Sequence, residues 1–263
     1  MTPVVENKPG GGTVVATQEV ARAPATPPPL LMVSNSFTIN PSLHASLPYD
    51  IFRDFRPVAL AAAIPHVLVV SPAIPARTVA EFLALARARP GEFHFATPGI
   101  GTSNHLNTEL FARRSGASFT HVPYRGFAQW FPDLLANRVQ FVIGTVTELI
   151  GPARDGQVRI LAVAQDARLP SLPDVPALGE DGGPAVASSS WFGFVAPASV
   201  PAATRDRLEA AMLDSLRVPE AVRRLQEMQI MPAPRGGDAF AAFLREEHAN
   251  YAEAIRISGA RVD

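Results

Sequence analysis

Short apolar runs, most of them bounded by proline or glycine, alternate with longer stretches whose apolar residues recur at helical spacing. Val4 to Glu6, Pro29 to Ser34, Arg56 to Ala63, His66 to Pro72, Phe93 to Pro98, Val139 to Gly144, Val158 to Gln165 and Trp191 to Pro197 read as strands. Their near-continuous apolar content predicts burial on both faces, as in parallel sheets. Between them, "TVAEFLALARARPG" predicts a helix that starts at a Thr78 N-cap and stops at Pro90 and Gly91. "FAQWFPDLLANR" places Phe127, Trp130, Phe131, Leu134 and Leu135 on one helical face, and the last quarter of the chain reads as all-helical. The pattern predicts an α/β protein with mostly parallel sheets.

Composition narrows the class. With 263 residues, 47% of them apolar, the chain can bury one large or two small α/β cores. Its 23 basic and 24 acidic side chains leave a net charge of −1, so no basic surface for nucleic acid is expected. The absence of cysteine excludes thiol catalysis, disulfides and thiolate metal sites. No run approaches the ~20 apolar residues of a membrane span, and "MTPVVENKPGGG" carries no export-signal pattern. Two proline-rich stretches, Ala23 to Leu30 and Leu169 to Ser190, predict loops, the second an ordered surface excursion.

The richest chemistry lies in "PGIGTSNHLNTELFARRSG", Pro98 to Gly116, where a glycine turn runs into Thr102, Ser103 and Asn104 and then a helix from about His105. The first turn of a helix offers unpaired N–H groups and partial positive charge, so the stretch outlines an anion cup. Thr102 or Ser103 as a plain N-cap is the competing reading. The turn has no lysine, which disfavours a nucleotide phosphate loop. Ser103 with His105 as nucleophile and base would make a small α/β hydrolase, but no G-x-S-x-G elbow is present. The histidines lack metal-ligand spacing, so neither a metal nor a cofactor is expected. Gly10, Gly11 and Gly12 form a second glycine-rich junction, and "SNSFTIN", with Ser34 and Ser36, reads as a third polar loop. "HVPYRG" is either a turn or a pocket rim with Tyr124 as an aromatic contact.

With these residues in hand, the chain resembles the extracytoplasmic solute-binding proteins of tripartite tricarboxylate transporters, the Bug or TctC-like family. The resemblance rests on "VVENKPGGG", "INPSLHASLPYDIFRDFRPVAL", "GTSNHLNTELF", "HVPYRG", "DGQVRILAVA", "LPDVPALGEDG" and "SWFGFVAPASVP", in the family's order and spacing. It implies a type II periplasmic-binding-protein fold, with two α/β lobes joined by crossing strands at "FHFATP" and "SWFGFVAP". Lobe I would comprise 1–97 plus 191–263 and lobe II 98–190. It further implies a small carboxylate as ligand and a catalytically inert protein. The cup at Thr102, Ser103, Asn104 and His105 would be assisted by Gly10, Gly11, Gly12, Ser34, Ser36, Tyr124, Gly144 and Thr145. The expected setting is the periplasm, the expected partners are permease subunits, and the expected state is a monomer without membrane insertion. Two departures stand out. The chain begins near the family's second strand, so lobe I is expected to lack its first βα unit, as a late start or a degraded copy would. Gly144 also stands where many relatives carry an aspartate that pairs a ligand ammonium, so an acid without an amino group is expected.

Overall fold

The computed structural model describes residues 4–262. A 3-10 turn at Gly11–Thr13 leads into α1 (Val14–Ala21), and β1 (Leu31–Val33) runs directly into α2 (Asn35–Leu43). The longest strand, β2 (Phe55–Val70), follows. Strands and helices then alternate through α3 (Val79–Ala88), β3 (Phe93–Thr97), α4 (Ser103–Ser115) and β4 (Phe119–Pro123). The series continues with α5 (Phe127–Leu135), β5 (Phe141–Thr145), α6 (Val146–Arg154) and β6 (Arg159–Val163). The last part comprises β7 (Ser189–Pro197), α7 (Ala202–Ser215), α8 (Pro219–Glu227), β8 (Met231–Gly236) and α9 (Gly237–Ser258).

Two sheets share β2. Its first part, from Phe55 to Pro65, lies between β7 and β8, with β1 beyond β7. From His66 to Val70 it lies between β5 and β6, with β3 beside β5 and β4 beside β3. The runs expected as separate strands, Arg56 to Ala63 and His66 to Pro72, are therefore one. Pro65 sits where the strand changes partners, so its missing N–H interrupts neither sheet's interior.

This topology corrects several expectations. β3 pairs only inside the second sheet, so the passage between sheets expected at Phe93 to Pro98 is made by β2. The sheets are not mostly parallel: β2 runs antiparallel to all four of its neighbours, and among the ladders between the described strands only those made by β3 are parallel. An apolar run reports burial on both faces, not direction. Val4 to Glu6 forms no strand, because it gains no ladder partner; Val4 and Val5 are each 85% exposed. "SNSFTIN" is mostly α2 rather than a loop, and the final quarter includes β8, whose Pro232 and Pro234 suit an edge strand.

Packing follows the sheets. Phe37, Phe55, Trp191 and Phe240 fill the first core, while Phe82, Phe93, Phe95 and Phe141 fill the second. Each such side chain contributes roughly 1.5–3 kcal/mol when fully buried. Leu106 and Leu110 of α4 pack on Ile39 and Leu43 of α2 and on Tyr251 and Ile255 of α9. The helix that starts at the glycine turn thus bears on elements of the other half.

Candidate functional site

β3 ends at Thr97, and the chain turns through Gly99 (φ 144°) and Gly101 (φ 76°) before Thr102 caps α4. The Thr102 hydroxyl donates to the Gly99 carbonyl at 2.8 Å and accepts from the His105 N–H at 3.4 Å. Thr97 Oγ1 closes the near side of the turn, accepting from the Gly99 N–H and donating to the Gly99 carbonyl, each at 3.2 Å. On the far side the Gly101 N–H donates to His105 Nδ1 at 3.2 Å. Asn104 ties the helix start to β5 through Nδ2 and the Ile143 carbonyl at 2.9 Å. Ser103 occupies the first helical position and is 7% exposed; among the described residues its hydroxyl has no hydrogen-bond partner. An uncommitted hydroxyl on a largely buried residue, beside the free N–H groups of a helix start, can receive an anion's oxygens.

His105 does not act as a base for Ser103. Its ring stacks on His121 with centroids 4.0 Å apart, and His121 stacks in turn on Phe95 at 4.8 Å. Nδ1 is occupied by Gly101, and Nε2 faces Glu109 Oε1 at 3.7 Å. Burial lowers the pKa of His105 to about 4, with His121 adding to the effect, and burial lowers that of His121 to about 4. Both rings are neutral near pH 7. The Ser103–His105 hydrolase reading fails on this geometry, because the imidazole is spent beneath the turn.

The remaining expected residues fall into separate groups. Gly10, Gly11 and Gly12 are exposed, with positive φ at each, and the Gly12 carbonyl accepts from Asn40 Nδ2 at 2.9 Å. Beside them the hydroxyls of Thr13 and Ser36 lie 3.2 Å apart, and those of Ser34 and Ser36 lie 3.4 Å apart. This polar cluster borders the first residues of α2, whereas Gly101 meets the last turn of that helix. A Cβ built on Gly101 would lie 2.5 Å from Leu43 Cδ2. A rise of 1.5 Å per residue separates Ser36 from Leu43 by about 10 Å along α2. Thr145 caps α6 and donates to Glu148 Oε2 at 2.7 Å. A Cβ on Gly144 would press on Leu149 Cδ1 at 2.9 Å, so that position directs no side chain into the turn. Tyr124 donates to Asp133 Oδ2 at 2.8 Å, and its pKa rises to about 12 through burial and this carboxylate.

A buried polar network where the halves meet was not read from the sequence. His66 on β2 bonds through Nδ1 to the Ser188 hydroxyl at 2.7 Å and through Nε2 to that of Ser190 at 3.0 Å. Asn107 of α4 donates to Ser188 Oγ at 2.7 Å. Asn35 of α2 donates to the Ser189 carbonyl at 3.0 Å and to the Tyr251 hydroxyl at 2.8 Å. Trp191 Nε1 donates to Glu247 Oε2 at 2.8 Å. The run "SSSW" was the available signal, hydroxyls abutting a large aromatic; the partners come from β2, α2, α4 and α9. A cleft of about 760 Å³, lined among others by Arg56, Arg205, Glu209, Asp238 and Arg245, lies on the first sheet's side, away from the turn.

Two α/β halves joined through a shared strand, with a neutral donor turn in one half touching a helix of the other, define a two-lobed solute-binding receptor. The description "Tripartite tricarboxylate transporter family receptor" matches residues 1–259, and the chain belongs to that family. It is 35% identical over 245 residues to a UPF0065 protein from the tcbD-tcbE intergenic region of a Pseudomonas species, covering 93% of this chain and 73% of that protein. It is 31% identical over 261 residues to BugT of Bordetella pertussis, with coverages of 98% and 80%. A solved R. palustris protein with adipate superposes with a TM-score of 0.85 at 28% identity, covering 98% of this chain and 87% of the other. MatC from Rhodopseudomonas palustris, with bound malate, superposes at 0.77 and 25% identity, with coverages of 94% and 85%. The family is one of periplasmic substrate-binding receptors that work with transporter permeases, and the chain is a receptor rather than an enzyme. Among the described residues no helix is long and apolar enough to cross a membrane.

Proposed function

We propose that the turn from Gly99 to Ser103 holds a carboxylate of a small organic acid, for delivery to permease subunits in the periplasm. The lobes are 4–64 with 189–262, and 66–188. The single observation that carries this reading is Ser103, buried at the start of α4 with a free hydroxyl, in a turn that abuts α2 of the other lobe. Neutral donors suit a receptor that must release its cargo, because charge-assisted hydrogen bonds form without an arginine or lysine to desolvate at each cycle. The Gly10–Thr13 and Ser34–Ser36 groups are proposed to face the ligand's other end from lobe I, and Tyr124 and Thr145 to flank the turn. The adipate and malate complexes of structural neighbours support acids of that size. From Thr97 to His105 there is no acidic residue, so a ligand ammonium finds no carboxylate partner within the turn.

Calorimetry with adipate, malate, aspartate and glutamate tests the reading. Saturable binding of an acid lacking an amino group is expected, and tight binding of aspartate or glutamate contradicts it. Ser103→Asp sets a negative charge against the bound carboxylate and weakens affinity more than tenfold, roughly 1.4 kcal/mol; unchanged affinity refutes the placement. The receptor is further proposed to act as a monomer, which sedimentation with and without adipate checks.

A further inference from the structure

Three helices of this protein begin with the same device. In α3 the side chain of Glu81, third residue of the helix, accepts from the N–H of Arg77, the residue before the Thr78 cap, at 2.7 Å. In α5 Gln129 occupies the third position and accepts from the Arg125 N–H, before the Gly126 cap, at 3.0 Å. In α4 the third residue is His105, and its Nδ1 accepts from the Gly101 N–H, before the Thr102 cap, at 3.2 Å. The arrangement is a capping box shifted outward by one residue, a box whose ordinary acceptor is glutamate or glutamine.

We infer that His105 is a positioning residue for the carboxylate site, a neutral stand-in for the capping-box glutamate that fixes the Gly99–Ser103 turn without placing negative charge beneath the bound anion. This rests on the proposed function and deepens it. A carboxylate at this position would brace Gly101 equally well, as Glu81 braces Arg77, but would oppose the positive end of α4 that an anion uses. The imidazole gives the same acceptor with no charge. Its neutrality is kept by its surroundings: the ring lies in a stack with His121 and Phe95, and its pKa is lowered to about 4. The titratable groups facing it are His121 from β4, equally neutral, and Glu109 on its own helix, whose carboxyl burial pushes up. The braced residue also has a second duty. Gly101 is the point of the turn that meets Leu43 of α2, so the bond to Nδ1 sets both the cup and its contact with the other lobe.

Three variants separate brace from charge, with affinity for adipate and malate read by calorimetry and folding by melting temperature. His105→Gln keeps a neutral acceptor, as Gln129 does, and is expected to bind within about threefold of the unmodified protein. His105→Phe keeps the stack but loses the acceptor, and His105→Glu keeps the acceptor but adds charge. Each of these two is expected to bind at least about tenfold more weakly, with the His105→Glu protein melting at or above the temperature of the His105→Phe protein. Nitrogen NMR of the histidines is expected to show His105 protonated at Nε2 and bare at Nδ1. Unchanged affinity in His105→Glu overturns the charge argument, and unchanged affinity in His105→Phe, or a proton on Nδ1, overturns the brace. Should the unmodified protein bind no carboxylate, the receptor's ligand reading fails by itself. The tautomer and the order of melting temperatures then decide the brace alone.

Discussion

At the scale of single residues, ionisable groups drawn wholly or partly out of water shape how the protein answers to pH, with His66 and His105 buried and His121 and Glu247 half-buried. Burial lowers the pKa of His66 to about 3 and, as its main cause, those of His105 and His121 to about 4 from the ordinary 6.5. Between those values and 6.5 the unfolded chain carries protons that the folded one lacks, so their contribution is complete above 6.5 and declines as pH falls through that window. Glu247 acts oppositely. Burial raises its pKa from 4.5 to about 7, so its contribution is present below 4.5 and lost as pH rises to 7. At pH 5.5 unfolding is therefore expected to take up protons net, because the three histidines gain protons while only the raised carboxyls, Glu247 and Glu109, release them. Calorimetry in buffers of different ionisation enthalpy measures the number, and Glu247→Gln is expected to raise it by up to about one proton. Residue roles were unequally legible. The sequence leaves the cap open between Thr102 and Ser103, and only the structure assigns it to Thr102 and leaves the Ser103 hydroxyl uncommitted. The stacking that neutralises His105 depends on His121, which only the pairing of β4 with β3 brings alongside.

Elements explain which local features tolerate change. Gly101 combines a left-handed φ of 76° with the close approach to Leu43, so Gly101→Ala meets both backbone strain and a clash. It is expected to destabilise the protein by more than about 1 kcal/mol in denaturant unfolding, and to weaken adipate binding. Adding Leu43→Ala is expected to relieve the clash but not the φ strain, so recovery stays partial. By contrast Thr78→Ala removes one cap bond, with Glu81, and is expected to cost about 1 kcal/mol without touching the ligand. The α3 boundaries were legible because cap, periodicity and stop agree along one stretch of chain. α2 was not, because its polar residues, such as Asn35, Thr38 and Asn40, are buried and bonded to partners, and so mimic a loop in sequence. β8 was missed because its alternate prolines signal a breaker everywhere except on a sheet edge.

For the whole molecule, ligand binding should couple to the joint between the lobes. A carboxylate that contacts both lobes favours the closed form, so adipate or malate is expected to raise the melting temperature with concentration and to reduce the radius of gyration seen by X-ray scattering. Heat of binding with no change in radius would show that closure is not part of recognition. The two-lobe plan was legible through family resemblance, whereas the crossing segment was misplaced, since Pro65 looks like a strand end until the partners on either side are known. That strand carries a wider implication. β2 is an interior strand of one sheet with its first part and of the other with its second. Excising either lobe would cut this strand through and leave a chain end inside the remaining sheet, so the halves cannot be traded as modules between relatives, and binding preference has to diversify in place, through the turns around an undivided spine.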